Sequence, residues 1–417
     1  MRPHGNGRHL VVVGASLAGS RAVRALRSRG FGGTITVVGA ERRPPYDRPP
    51  LSKGALTAAV APDGPPPPLP LPLPLPLPEG PDVRLLLGRR ATRLDPAARL
   101  LHLADDEAVR YDGLLVATGA TARTWPPGPE PLPPTVLTLR TWEDALAVRA
   151  RLAPGRRLVV VGAGFLGGEI AASARARGAH VTLVEAEPQP LHRAIGAEAG
   201  GYVAALHRRA GVELRTGTVV TGFRTGREGA LSAVELSDGA VVPADTAVLA
   251  LGARPATEWL SGSGAALAHG VRCDAYLRVL DGDGRPLPGV VAAGDVARVP
   301  HPLADGEEIQ LGHWTNAVEQ ALTAAYTLIH PEAPRPFAGV PSFWSDLYGT
   351  SLRSVGLPAR GEARVHELDL EAGRLEVTYH RDGRLVGALT TGRPGRLAAH
   401  RATLARRLHT AGAGPAR

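Results

Sequence analysis

Leu158-Val-Val-Val161, then Gly162-Ala-Gly164-Phe-Leu-Gly167, then His180-Val-Thr-Leu-Val-Glu185 is the stretch on which the reading of this chain turns. The first run is short, apolar and β-branched, as a strand buried on both faces must be. The glycines follow at once: the first permits a tight turn, the second lets backbone approach a pyrophosphate, and the third lets helix and strand pack closely. An alanine-rich helix is predicted over Glu169–Arg177, and the next strand ends in an acid, Glu185. A strand, a glycine turn and a helix N-terminus together bind a phosphate through free amides and the helix dipole. A carboxylate at Glu185 accepts hydrogen bonds from a ribose 2′-hydroxyl and repels a 2′-phosphate, which favours NADH over NADPH.

The pattern occurs twice. Leu10-Val-Val-Val13 runs into Gly14-Ala-Ser16-Leu-Ala-Gly19, and a helical pattern with Ala22, Val23, Ala25 and Leu26 on one side ends near Gly30. Thr34–Val38 is the next predicted strand, with Glu41 as the acid beyond it. Further buried strands are predicted at Leu114–Val116, ending in Ala117-Thr118-Gly119, at Ala247–Leu251 before Gly252, and at Val290–Ala293 before Gly294-Asp295. Past residue 330 the texture changes. Arg364–Leu370, Arg374–Tyr379 and Arg384–Leu389 alternate like strands, Arg381-Asp-Gly383 is a hairpin turn, and an amphipathic helix carries Leu397, Leu404 and Leu408. The fold class predicted is α/β, with two doubly wound Rossmann-like nucleotide-binding domains plus a small α+β C-terminal domain with an antiparallel sheet. The divisions are 1–120 and 250–330 for the first nucleotide domain, 121–249 for the second, and 331–417 for the last.

Composition narrows the chemistry. With 417 residues the chain is long enough for two or three domains, and no apolar run approaches the ~20 residues of a membrane span. Leu10–Val13 is too short for a secretory segment, so a cytoplasmic protein is expected. Cys273 is the single cysteine, which excludes an internal disulfide, a CxxC pair and a cysteine-held iron–sulfur cluster. Redox chemistry must therefore sit on an organic cofactor, and two dinucleotide motifs suggest FAD in the first and a nicotinamide cofactor in the second. The net charge of +9 comes from arginines scattered along the chain with only 4% aromatic residues, a poor fit to nucleic-acid binding. Lys53 is the only lysine among 48 basic residues, which by composition alone fits either a position that needs a compact ammonium or the chance survival of one surface lysine. Asp281-Gly-Asp-Gly284 opens like a calcium loop but has no acid at the twelfth position, so no metal site is expected. Pro65–Pro78, proline alternating with leucine, is predicted as a polyproline II loop insertion.

Glu41-Arg-Arg-Pro-Pro-Tyr-Asp-Arg-Pro-Pro-Leu-Ser-Lys53 resembles the signature of the oxygenase-coupled NADH–ferredoxin reductases, putidaredoxin-reductase-like FAD enzymes of glutathione-reductase-like fold. The resemblance continues through Ala117-Thr118-Gly119, the Gly162–Glu169 segment, Ala293-Gly294-Asp295, His313–Gln320 and Phe343-Trp-Ser-Asp346. It implies Lys53 beside the flavin N5 edge and Glu169 on the nicotinamide side, able to pair. It also implies FAD contacts at Ala18, Lys53, Asp295 and Trp314, and NADH contacts at Gly162, Gly164, Gly167 and Glu185. Gly14, Ser16, Gly19, Glu41, Arg48, Thr118, Gly119 and Gly294 complete the cofactor-binding set. The implied partner is a small acidic [2Fe-2S] ferredoxin serving an oxygenase.

The chain departs from the resembled pattern at Ala40, where a ribose-binding acid is usual, at Gly168 in place of Leu, which is expected to loosen the helix start, and at Gly312 in place of an acid. Alternatives on the same scaffold are an FAD-dependent NADH reductase of a quinone or monodehydroascorbate, and an NADH-sensing flavoprotein of apoptosis-inducing-factor type. Disulfide reductases need a thiol near the flavin, and Cys273 lies outside any strand–turn–helix motif.

Overall fold

The computed structural model describes residues 7–58, 74–78, 80, 82–128, 131–226 and 229–412. Two sheets are built on one plan. In the first, the spatial order is Arg278–Leu280, Pro286–Ala292, Gly113–Val116, His9–Val13, Thr34–Gly39 and Val83–Leu87. In the second it is Glu213–Thr216, His180–Glu185, Arg157–Val161, Thr246–Leu249 and Val136–Thr138. His9–Val13 pairs in parallel with Thr34–Gly39 on one side and Gly113–Val116 on the other. Arg157–Val161 is flanked the same way by His180–Glu185 and Thr246–Leu249. Each is thus the strand at which the winding reverses, and the crevice beyond its carboxyl end is where doubly wound sheets bind ligands.

The reading of these runs as buried strands holds because both faces are covered. Leu10, Val11, Val12, Leu114 and Leu115 are fully buried between helices Leu17–Ser28 and Trp314–Ile329 and the layer opposite, as are Val160 and Val248 in the second sheet. Chain segments on either side of the second sheet complete the first, and the two crossings are laced together where Ala120–Ala122 pairs with Ala253–Pro255. Two three-stranded antiparallel sheets, Ala91–Asp95, Leu100–Leu103, Ala108–Arg110 and Val220–Thr225, Leu231–Leu236, Val241–Pro243, were not legible beforehand. Their strands are short, and several positions on them are exposed.

The C-terminal sheet has five antiparallel strands rather than three. Ser342–Leu347 and Thr350–Gly356 pair with each other and join Arg384–Thr391, Arg374–Arg381 and Glu362–Asp369. The hairpin turn lies at Asp382 and Gly383, both with positive φ, and the Pro394–Gly412 helix buries Leu404 and Leu408. Asp281–Gly284 is a hydrogen-bonded turn. Residues 65–73 of the proline–leucine tract lie outside the described residues. Beyond them, the Leu75 amide donates to the Pro45 carbonyl at 2.9 Å, so the chain re-enters the fold beside Tyr46.

Candidate functional site

Both glycine turns close alike. Gly14 and Gly162 carry φ of +122° and +102°, and their amides donate to Val38 and Val184 at 2.8 Å. A Cβ on Gly19 would run into the Gly14 carbonyl, and one on Gly167 into that of Gly162, so the third glycine of each motif sets the helix against its strand. The Phe165–Ala176 helix begins four residues before the expected Glu169. Gly167 and Gly168, which precede the predicted helix, lie in its first turn. Glu169 consequently projects from the second turn, close to the cavity. Gly168 does not loosen this start: its amide donates to Gly164 at 2.9 Å, and the space beside it is filled by Leu347 and His207.

Neither Leu17–Ser28 nor Phe165–Ala176 has a side-chain cap or an acid in its first turn, so both helix N-termini present free amides. They open toward a continuous trough made of two cavities of ≈ 540 and ≈ 630 Å³ that share Ser16, Arg48 and Arg140. Gly164 has nothing within 4 Å of where a Cβ would be, which leaves the second helix N-terminus open to an anion. A group with a diphosphate between two ring systems fits this shape and these donors.

Of the residues singled out from sequence, the first cavity collects Ser16, Ala18, Arg48, Lys53, Gly119, Gly164, Glu169, Gly294, Asp295 and Trp314. The second collects Gly14, Ser16, Glu41, Arg48 and Thr118. Gly19, Gly162, Gly167 and Glu185 line neither. Glu185 instead accepts the Ala163 amide at 2.7 Å and the Glu187 amide at 2.9 Å, which ties the glycine turn to the end of its neighbouring strand.

Lys53 lies where the turn Pro49–Ser52 hands over to the short helix Gly54–Thr57. Its Nζ is 2.8 Å from Glu169 Oε2. The Ser52 hydroxyl donates to the same oxygen at 2.5 Å, and the Ser345 hydroxyl donates to Oε1 at 2.8 Å. Glu169 is only 7% exposed, and a carboxylate so buried needs this pairing. Asp295 accepts from Arg140 at 2.9 Å, and the Gly294 amide donates to Gln320 at 2.8 Å. The Trp314 indole donates to Asp47 at 2.8 Å, and burial raises the Asp47 carboxyl above its ordinary range against that bond. Beside it, burial pushes the His313 imidazole down to about 4, so it is neutral near pH 7. Glu41 does not lie open: it accepts from Tyr46 and from Arg48, each at 2.5 Å, while Arg48 also donates to the Arg140 carbonyl at 2.6 Å. Burial pushes the Tyr46 phenol up to about 12, so it stays a donor.

Sequence reasoning assigned no role to Ser52, Ser345, Arg140 or Trp344. Both serines stood inside quoted motifs, but their partner is remote in the chain. Arg140 was one arginine among many. Trp344, 37% exposed, sits on the cavity wall with its ring centroid 5.9 Å from that of Trp314. Cys273 is buried away from the trough, and burial raises its thiol well above the ordinary range, so no thiol chemistry reaches the site.

The family model described as pyridine nucleotide-disulphide oxidoreductase matches residues 8–321, the part that carries both glycine turns. The chain belongs to that family. A second model, described as the reductase C-terminal domain, matches residues 342–414 of this family member. It is 34% identical over 386 residues to rhodocoxin reductase of Rhodococcus erythropolis, covering 92% of the chain and 86% of the relative. It is 34% identical over 406 residues to the ferredoxin–NAD(+) reductase component of the anthranilate 1,2-dioxygenase system of Burkholderia cepacia, covering 97% and 95%. Among solved structures, the covalent putidaredoxin reductase–putidaredoxin complex superposes with a TM-score of 0.84 at 30% identity, covering 97% of this chain and 94% of that one. The homologues of this oxidoreductase-family chain include ferredoxin–NAD(+) reductase components of dioxygenase systems, and membership implies use of a flavin and NAD(H). Among the described residues, no helix is long and apolar enough to cross a membrane.

Proposed function

We propose that the chain is an FAD-dependent NADH:ferredoxin oxidoreductase, passing electrons from NADH to a small acidic [2Fe-2S] ferredoxin that serves an oxygenase. The observation that carries this reading is the Lys53–Glu169 pair in a cavity toward which two uncapped helix N-termini open. The relatives' names supply the acceptor class.

The first helix N-terminus, with Arg48 and Arg140, would hold the FAD diphosphate, and Asp295 would accept from the ribityl chain. Phe165, Leu166 and Phe343 make the cavity wall apolar and exclude water. A flavin held here would supply the conversion between the two-electron hydride chemistry of a nicotinamide and a one-electron acceptor. Lys53 sets a positive charge where negative charge grows on reduction, which lowers the cost of that step. Glu169 keeps the ammonium from swinging into solvent. Gly164 and the Phe165–Ala176 helix N-terminus would take the NADH pyrophosphate, with Glu185 giving the preference for a free 2′-hydroxyl. The first nucleotide domain would be 1–120 with 250–330, the NADH domain 121–249, and the C-terminal domain 331–417. The sheet membership of the strands supports that division.

Anaerobic stopped-flow reduction by NADH and by NADPH, followed at the flavin absorbance band, tests the reading. Rapid bleaching with a strong NADH preference, followed by electron transfer to an added acidic [2Fe-2S] ferredoxin, is expected. A protein that bleaches slowly with both nucleotides overturns it.

A further inference from the structure

Besides Phe343 and Trp344 on the cavity wall, the C-terminal sheet brings a buried hydroxyl to the site. Ser345 is fully buried in the strand Ser342–Leu347, and its Oγ donates to Glu169 Oε1 at 2.8 Å. From the opposite side Ser52, 3% exposed, donates to Glu169 Oε2 at 2.5 Å. Ser52 Oγ also lies 3.3 Å from the Pro49 carbonyl, but a hydroxyl has one proton, and the shorter, charge-assisted bond takes it. The Ser52 backbone is itself fixed, since its carbonyl accepts from Ser173 on the Phe165–Ala176 helix at 2.7 Å. Both carboxylate oxygens are therefore held by hydroxyls from segments that are distant in the chain, and the oxygen that Ser52 holds is the one paired with Lys53 at 2.8 Å.

We propose that Ser52 and Ser345 are positioning residues that pin the Glu169 carboxylate from two sides, so that Lys53 is kept where hydride arrives. This rests on the NADH:flavin reading above. Lysine has a flexible four-carbon stem, and an ammonium tethered only by a mobile glutamate would be spread over many rotamers. Two buried donors remove the freedom of the glutamate, and through it that of the lysine. Through Ser345 the C-terminal sheet acts on the site by way of Glu169, in addition to Phe343 and Trp344 on the cavity wall.

The test uses the flavin-loaded protein with S345A, S52A, S345T and S52T, each also combined with E169A where the alanine variants are concerned. Expected for S345A and S52A is a limiting rate of reduction by NADH lowered about tenfold, with half-saturating NADH changed less than about twofold. The threonine variants, which keep the hydroxyl, recover most of the rate. In the E169A background the alanine substitutions add nothing further, because the partner they act through is gone. The urea unfolding midpoint gives a readout without turnover: S345A lowers it in the parent and leaves it unmoved in E169A. A serine that stabilises the fold through contacts other than Glu169 would lower it equally in both, and one that is structural through Glu169 alone would leave the rate of reduction at the parental value. Parent protein reduced by NADH together with S345A and S52A at parental rates overturns the clamp alone. A parent that NADH does not reduce overturns the functional reading, and the clamp with it.

Discussion

Lys53 Nζ and Glu169 Oε2 stand 2.8 Å apart, joining the loop after the first nucleotide unit to the helix that opens the second. The pair spans the seam between the two halves of the molecule. Exposed ion pairs contribute little, but this carboxylate is buried, and removing its cationic partner leaves an uncompensated charge.

Substituting Lys53→Met is expected to slow flavin reduction by NADH about 100-fold while the protein keeps its flavin, since the side chain acts on developing charge rather than on cofactor retention. Stopped-flow traces at saturating NADH check this. An unchanged rate would remove Lys53 from the mechanism.

The second and third glycines of the second motif should fail differently. Gly167→Ala drives a methyl into the Gly162 carbonyl and is expected to destabilise the protein by about 2–4 kcal/mol, read from chemical unfolding. Gly164→Ala meets nothing within 4 Å, so it should cost no more than about 1 kcal/mol at a helix N-cap. Its effect should fall on the ligand, with half-saturating NADH raised about tenfold.

Glu185→Gln should narrow the preference for NADH over NADPH about tenfold by removing the charge that repels a 2′-phosphate. Glu185→Ala should do the same and lower the melting temperature further, because the Ala163 and Glu187 amides donate to different carboxylate oxygens and Ala leaves both without an acceptor where Gln leaves one. Equal nucleotide preference in parent and Gln variant would contradict the assignment.

His207 is fully buried, bonded through Nδ1 to the Tyr348 hydroxyl at 2.7 Å, and burial pushes its imidazole down to about 4. In the unfolded chain it binds a proton near pH 6.5, so between about 6.5 and 4 the unfolded state holds more protons. The stability it permits is present above pH 6.5 and is lost as pH falls toward 4, up to about 3 kcal/mol. Urea unfolding of parent and His207→Gln across that window should show a shallower slope for the variant. Parallel slopes would count against the buried neutral state.

Reduction of an acidic ferredoxin should slow about tenfold between low and high salt, because a chain of net charge +9 attracts it at long range and salt screens that attraction. Reduction of the flavin by NADH should change far less over the same range. A flat ferredoxin profile would show that encounter is not electrostatically steered.

What the sequence determined by itself was local. A four-residue apolar run, a glycine turn and a helix are set by backbone sterics and burial within some thirty residues, so both nucleotide units could be read, and the single lysine stood out by composition. Local reading placed the helix start too late: it lies at Phe165 rather than Glu169, with Gly167 set against the Gly162 carbonyl and Gly168 packed beside Leu347 and His207. It also missed the Ser342–Gly356 hairpin, since Phe343-Trp-Ser-Asp346 mixes exposed, half-buried and buried positions without clean alternation. Tertiary structure alone decided which polar groups meet. That Glu169 takes Ser52 and Ser345 as well as Lys53 depends on contacts between segments remote in the chain. Such contacts leave no periodicity behind, because a hydrogen bond needs only one donor and one acceptor brought to the same point in space.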